Sequence, residues 1–148
     1  MKKFLLLSCA IVAGCTSVSE NPHLVTAGAE TAKLLIYRPG AFQAGGGDVH
    51  IGERDEYFAE LGNDEYSIVE IDAGKHKLQA KAFASPASML DIDLPAGATT
   101  CIVSKPNPAM LGAIAVPLVA NMVPTFVLEK ADCPKPEELA KYELVDGE

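Results

Sequence analysis

Apolar and polar residues alternate along the middle of the chain in short runs separated by turn residues. In Asp48–Glu53 and Lys75–Phe83 nearly every second residue is apolar, the period of a half-buried β-strand. The run Lys33–Pro39 is mostly apolar and stops at Pro39-Gly40, which favours a strand buried on both faces. Five more short runs predict strands: Glu56–Leu61, Glu65–Ile71, Met89–Leu94, Thr99–Ser104 and Thr125–Lys130. This pattern predicts an all-β fold, a seven- to eight-stranded β-sandwich.

Two details refine this picture. Asp91 and Asp93 have outward parity and are expected to lie beside the outward lysines of the preceding strand, as a solvated face that sets the register. Pro134–Tyr142 predicts a short C-terminal helix, because Pro136 suits the first turn and two glutamates follow it near the helix N-terminus.

The segment Pro106–Leu128 has 23 residues and no charge, a length that would normally indicate a transmembrane helix. Pro117 and Pro124 oppose a continuous helix, because each removes a backbone hydrogen bond. Three interpretations stay open for this apolar insertion (residues 106–124): a short helix or loop packed on the sandwich, an exposed contact for a protein partner, a second copy or a lipid surface, or a second membrane anchor. The candidate contact residues are Met110, Leu111, Ile114, Leu118, Val119 and Met122.

The N-terminus has the features of an export signal. Lys2 and Lys3 precede an uncharged run, Phe4–Gly14, that is too short to remain as a membrane-spanning helix. The run ends in Val12-Ala13-Gly14-Cys15, which resembles the lipobox of bacterial lipoproteins. This resemblance implies that residues 1–14 are removed and that Cys15 carries acyl chains, such as palmitate, that anchor the protein to a membrane.

The same resemblance implies a location and a domain organisation. Residue 16 is Thr rather than Asp, which implies the periplasmic face of the outer membrane of the bacterial cell envelope. Residues 15–31 are polar and aperiodic after the lipidated cysteine, and we interpret them as a flexible tether. Residues 32–145 would form the folded domain.

Two cysteines remain once Cys9 leaves with the signal and Cys15 is acylated. Cys101 and Cys133 have one possible pairing, and an oxidising compartment favours a disulfide between them. The alternative, half of a metal site, lacks a CxxC spacing or a nearby histidine.

Composition narrows the function classes. The chain of 148 residues has 12 basic and 20 acidic side chains and a formal net charge of −8, which excludes a binder that tracks nucleic-acid phosphates. It has no Trp and only 6% aromatic residues, which argues against stacking platforms for bases or sugars. Loss of Lys2 and Lys3 with the signal would make the mature chain two units more acidic.

Candidate chemistry is sparse. His50 and Asp48 share one strand face, and Glu53 is nearby, but the spacing supplies no further convergent metal ligand. His76 begins a strand with inward parity and is expected to bond the turn at Gly74. No serine lies in a GxSxG or SxxK motif, and the triple glycine is not followed by the residues of a phosphate loop. The sequence therefore predicts no catalytic residue, no metal and no cofactor.

Three short segments resemble, in order, those of the domain of unknown function 2846 family of small bacterial envelope lipoproteins. They are Tyr37-Arg38-Pro39 at the end of the first strand, Asp72-Ala73-Gly74-Lys75-His76 introducing a later strand, and Leu94-Pro95-Ala96-Gly97 before another. The resemblance would cover about Lys33 to Tyr142 and implies a PEGA-like or transthyretin-like β-domain, within the wider class of immunoglobulin/transthyretin-like sandwiches. The chain departs from the family at Ala73, where Pro is frequent, and at Thr100 and Cys101, where aromatics are frequent. The resemblance implies no activity.

The leading functional hypothesis is a lipid-anchored, non-enzymatic structural or interaction module that contacts an envelope protein, or a second copy, through Pro106–Leu128. The alternative is a small-ligand or glycan-binding module that uses loops at the sandwich end, chiefly Gly40–Gly47. An envelope hydrolase is the third hypothesis.

Overall fold

Within the residues that the structure describes, the alternating runs form nine strands in two stacked sheets. The computed structural model describes residues 30–41, 47–113, 115 and 117–146. The strands are β1 (Thr31–Arg38), β2 (Val49–Glu53), β3 (Glu56–Leu61), β4 (Glu65–Asp72), β5 (Gly74–Ala82), β6 (Ser88–Leu94), β7 (Thr99–Pro106), β8 (Phe126–Ala131) and β9 (Glu143–Leu144). Three short helices are α1 (Ala109–Ala113), α2 (Pro117–Ala120) and α3 (Pro136–Leu139). The predicted all-β sandwich is confirmed, and the strand beyond the expected seven or eight is the two-residue β9.

One sheet has the order β8-β7-β1-β4-β9 and the other β3-β2-β5-β6. Neighbouring strands are antiparallel except for the parallel pairs β1–β7 and β4–β9. Alternate apolar side chains of the two facing sides form a single core. Its largest fully buried apolar members include Leu34, Ile36, Ile51, Phe58, Leu61, Ile71, Leu78, Leu94 and Ile102.

The strand directions give the sandwich two distinct ends. The proximal end holds Glu30, where the backbone N–H of Ala73 donates to the Glu30 carbonyl at 2.7 Å and that of Gly97 donates to the Thr31 carbonyl at 2.8 Å. Because β1 and β7 run parallel from here, their last residues lie together at the opposite, distal end. At about 3.3 Å per residue, the eight residues of β7 separate the two ends by about 26 Å.

The predicted cysteine pair fixes the C-terminal segment. Cys101 and Cys133 lie at disulfide distance, with 1.96 Å between the sulfurs and 5.1 Å between the Cα atoms. After Cys133 the chain passes over the outer face of the five-stranded sheet, from the β8 edge to the β4 edge, where β9 pairs with β4. We name residues 133–145 the C-terminal strap. On the way Tyr142 packs edge-on against Tyr37, with ring centroids 5.7 Å apart. The predicted helix over Pro134–Tyr142 is shorter, since α3 covers four residues.

A β-bulge shapes the hairpin of β2 and β3. The register shifts between Ile51 and Gly52, and a Cβ atom at Gly52 would lie 1.9 Å from the Glu56 carbonyl oxygen. The two turn residues, Arg54 and Asp55, both have positive φ, as a type I′ turn requires. The bulge thus brings the hairpin backbone close over Gly52, where any side chain would collide with it.

Candidate functional site

The apolar insertion leaves the sandwich at the distal end and returns to it. Its two ends are joined because the backbone N–H of Asn107 donates to the Thr125 carbonyl at 2.8 Å and the side-chain amide of Asn107 donates to the Pro124 carbonyl at 2.9 Å. Between these points lie the short α1 and α2. Among the described residues, no helix is long and apolar enough to cross a membrane.

Several predicted contact residues are exposed to solvent. The exposed fractions are 87% for Leu118, 77% for Met122 and 44% for Val119, whereas Met110 is half-buried. Ala113 is buried and marks where the insertion packs. Ile114 and the side chain of Leu111 lie outside the described part of the structure. The interpretation as a packed helix or loop therefore fits Ala113 in α1 and does not fit the exposed Leu118 and Val119 of α2.

Phe83 lies at the same end, and sequence analysis did not select it. Its side chain is 96% exposed in the turn between β5 and β6. The Ser85 hydroxyl of this turn accepts a hydrogen bond from the backbone N–H of Thr125 at 2.9 Å, which ties the turn to the base of the insertion. The sequence did contain a signal, because Phe83 ends the alternating run Lys75–Phe83 at a position with outward parity. We define the distal apolar surface as Phe83, Leu118, Val119 and Met122.

The neighbouring half of the distal end is acidic around a buried cation. Arg38 is 1% exposed, and its Nη1 donates to the carbonyls of Gly47 and Leu61, each at 2.7 Å. Its guanidinium lies over the Phe126 ring, 4.4 Å from the centroid. Burial lowers the pKa of Arg38, while two acidic side chains act to raise it. Those side chains are Asp48 and Glu65.

Asp64 and Glu65 are held by the backbone of the distal turns. Asp64 Oδ1 accepts from the backbone N–H of Gly40 at 2.7 Å, and Glu65 Oε2 accepts from that of Gly62 at 2.6 Å. Of the distal lysines, Lys105 lies 2.6 Å from a carboxylate oxygen of Glu129. The two cations near these carboxylates, the buried Arg38 and the exposed Lys81, offset only part of the negative charge of Asp48, Asp64 and Glu65. This half of the distal end therefore keeps a net negative charge.

A polar cleft of about 730 Å³ lies nearer the proximal end, between the β2–β3 hairpin and β6. His76 is its most constrained side chain. The imidazole Nδ1 lies 2.9 Å from Glu53 Oε2, and Nε2 lies 2.8 Å from the Asp72 carbonyl oxygen. Both ring nitrogens therefore lie within hydrogen-bond distance of an acceptor oxygen. The expected bond of His76 to the Gly74 turn is thus made through Asp72, the residue at the start of that turn.

Glu53 contacts two residues near the start of β5, His76 and Lys77. Burial acts to raise the pKa of its carboxyl, but hydrogen bonds from His76 and from the backbone N–H of Lys77 act to lower it, as do the nearby His76 and Arg54, and the net pKa is lowered. The Lys77 N–H donates to Glu53 Oε1 at 3.1 Å. The Glu53 side chain therefore accepts a backbone hydrogen bond from β5 just beyond the last residue pair of β2 and β5. This bond holds the β2–β3 hairpin against β5.

The rest of the cleft is lined by charges of both signs. Gln79 is only 4% exposed, and its amide donates to Asp55 Oδ1 at 3.3 Å. Lys77 and Asp91 are 3.8 Å apart across β5 and β6, which confirms the predicted pairing of outward aspartates with outward lysines. Such an exposed pair contributes about 0.2–1 kcal/mol. The cleft can accept a small polar molecule that presents charges of both signs.

The histidine considered as a metal ligand has a different neighbour. His50 Nδ1 lies 3.5 Å from Glu60 Oε2 on the adjacent strand, and its ring is 5.6 Å from that of Tyr57. In the described ranges no group of three or more His, Cys, Asp or Glu side chains is placed to hold a metal ion. Cys15 and most of the Gly40–Gly47 loop, residues 42–46, lie outside those ranges.

The three segments that carry the family resemblance all lie at sandwich ends. Tyr37-Arg38-Pro39 ends β1 at the distal end, while Asp72–His76 and Leu94–Gly97 make the sheet-to-sheet connections at the proximal end. The resemblance stays a prediction. No family model matches this chain, and no curated protein matches it.

Proposed function

We propose that this protein is a lipid-anchored module of the bacterial cell envelope that binds another envelope protein through its distal apolar surface and carries out no catalysis. The observation that supports this most directly is the exposure of Phe83, Leu118 and Met122 at the end of the sandwich opposite Glu30. Soluble surfaces rarely display such large apolar side chains together unless they contact another molecule.

The position of the surface favours a partner away from the anchoring membrane. Acylated Cys15 would hold the chain at the lipid, and the tether would join it to Glu30 at the proximal end. As flexible coil the tether would span about 20–24 Å. With the length of the strands added, the distal apolar surface would lie about 46–50 Å from the headgroups. A protein that reaches into the periplasm is therefore a better fit than the membrane that holds the anchor.

The size of the surface predicts a weak contact by itself. Burial of one large apolar side chain contributes about 1.5–3 kcal/mol, so Phe83, Leu118 and Met122 together contribute about 5–9 kcal/mol. Loss of translational and rotational freedom opposes binding by about 4–15 kcal/mol. Such a weak contact would suffice for binding if acyl anchoring keeps both proteins at high local concentration, or if electrostatic attraction adds to the binding free energy.

The test is crosslinking in intact envelopes with the double variant Leu118→Ser/Met122→Ser. We expect the crosslinked partner seen with the natural protein to be lost, because two exposed anchors are removed without disturbing the core. The matched control is Ile68→Ser, which removes a side chain of 48% exposure in the middle of β4, on the other sheet and away from Phe83. Retention of the partner by the double variant, or equal loss in the control, would contradict the proposal.

The anchor has its own test. Cells fed labelled palmitate should label the natural protein, whereas Cys15→Ala should take up none and should leave the membrane fraction. Label on Cys15→Ala would place the acyl chains elsewhere and would contradict this part of the proposal.

A second function, binding of a small charged ligand or glycan, is supported by the polar cleft. The specific observation is that the nearly buried Gln79 lines a cavity of about 730 Å³ together with lysines and aspartates. Titration with cell-wall glycan and peptide fragments, followed by NMR chemical shifts, should then perturb Gln79 and His76. Under this hypothesis Gln79→Ala abolishes the shifts and Leu118→Ser/Met122→Ser keeps them. Shifts confined to the distal end would refute it.

A further inference from the structure

We infer that the partner presents a cationic protein surface with an apolar pocket, and that Phe83 is the side chain that enters this pocket. The inference rests on the proposed function and names the chemistry of the partner. Two observations carry it: the way in which the fold presents Phe83, and the carboxylates that lie beside it.

The backbone of the turn that carries Phe83 is restrained at two points. Ala84 has a φ of +55°, a conformation that residues other than glycine rarely adopt. The next residue, Ser85, is tied to Thr125 at 2.9 Å. Because the backbone of this turn is already restrained, it loses less freedom on binding than a free loop would, and aromatic anchors dominate interface energies. Because the ring is 96% exposed, packing within the fold does not explain why an aromatic residue occupies this position.

The negative charge beside Phe83 distinguishes between the molecules that could bind to the distal apolar surface. Three carboxylates, those of Asp48, Asp64 and Glu65, lie at the distal ends of β2 and β4, in the half of the sandwich next to Phe83. They outnumber the two cations near them, the buried Arg38 and the exposed Lys81. In a symmetric dimer formed through this end, the carboxylates of the two copies would face each other. An anionic lipid surface would be repelled in the same way. A partner protein with an apolar pocket and a basic rim complements both halves of the distal end, because the pocket would receive Phe83 and the rim would face the carboxylates.

The test uses p-benzoylphenylalanine in place of Phe83 in the full-length protein, crosslinked by light in intact envelopes. The matched position is Ile68, which is exposed in the middle of β4 on the other sheet. We expect position 83 to give an adduct with a different protein whose crosslinked peptide is apolar and net basic, and position 68 to give none. In the protein that carries the probe at position 83, the added substitution Asp48→Lys should lower the adduct yield about fivefold at low salt. The reduction should be smaller at 0.5 M salt, because salt screens the charge. Asp93→Lys, the same charge change near the proximal end, should leave the yield unchanged.

A separate arm uses Phe83→Ala, which should weaken partner binding about thirtyfold, as loss of a hot-spot aromatic does. The inference is overturned by an adduct of twice the chain mass, by a lipid adduct, by an acidic contact peptide, or by equal yields for Asp48→Lys and Asp93→Lys. If the same probe at Met122 captures a protein and the probe at position 83 does not, this inference fails and the proposed function stands. If neither position gives a protein adduct, both fail.

Discussion

Replacement of the buried cation, Arg38→Met, should destabilise the protein by about 3 kcal/mol. The guanidinium donates to two backbone carbonyls, those of Gly47 and Leu61, at 2.7 Å each. Methionine fills much of the same space but donates no hydrogen bond, so both carbonyls lose a charged donor, at about 1–2 kcal/mol each. Loss of the contact with the Phe126 ring adds about 1 kcal/mol. Better burial of the apolar methionine offsets part of this total.

Urea unfolding of the purified protein, followed by far-ultraviolet circular dichroism, measures the effect. For a domain of this size the slope is about 1.5 kcal/mol per molar urea, so the midpoint should fall by about 2 M and the thermal midpoint by about 12 °C. The control is Lys81→Met, which removes one positive charge from an exposed site on β5 and should change stability by less than about 0.5 kcal/mol. Equal midpoints for Arg38→Met and the natural protein would refute the assignment of Arg38 as the residue that closes the distal end of the core.

Three more predictions follow from the fold. Gly52→Ala should destabilise the protein strongly, because its Cβ would lie 1.9 Å from a backbone carbonyl oxygen, whereas Gly112→Ala meets no atom within 4 Å and should be neutral or stabilising in thermal unfolding. Since the folded-state pKa of Glu53 is lowered, its ionised form stabilises the fold above the unfolded pKa of about 4.3, and the stability gap to Glu53→Gln should close as pH falls below that value in acid titrations. Thiol titration of the unfolded, unreduced protein should find neither Cys101 nor Cys133 free, and the double alanine variant should lose about 3–4 kcal/mol because the bridge closes a loop of 32 residues; two titratable thiols would contradict the pairing.

Period-two patterns predicted the strands well, because each sheet buries one face. Val49 and Ile51 are fully buried as expected, and the final strand, predicted over Thr125–Lys130, is found one residue later at Phe126–Ala131. In β6 Ile92 is buried and Asp91 exposed, as their parity predicts. A local pattern identifies such strands because water contacts only the polar side of the strand.

Long-range features could not be predicted in this way. The parallel neighbours β1 and β7 are far apart in sequence, and alternation does not reveal which strands pair. β9 has only two exposed residues, so it has no pattern, and it exists because the strap brings it to the edge of β4. Arg38 follows an apolar run and would ordinarily be placed outside, but two backbone carbonyls that converge from distant loops satisfy it in the core.

The candidate surface was only partly predictable from sequence. The uncharged insertion identified Leu118 and Met122, since a long apolar run without charge is unusual in a small domain. Phe83 could not be predicted as part of this surface, because a single aromatic residue at the end of an alternating run is common. Only the Ser85–Thr125 hydrogen bond shows that the turn of Phe83 lies at the same end of the sandwich as the insertion. The polar cleft depends on a bulge and on the Glu53–His76 pair, which are 23 residues apart.

The central position of β1 has a mechanical consequence. This strand carries the chain to the proposed anchor at the proximal end, and it is hydrogen-bonded on both sides, to β4 and to β7. A partner that holds the distal end while the membrane holds Cys15 would apply tension along the strands. Antiparallel ladder bonds lie perpendicular to that direction, and those to the parallel β7 are slanted, so the bonds of β1 would bear the load together in shear rather than opening one after another. An anchored chain arranged in this way should resist extension better than one pulled from an edge strand.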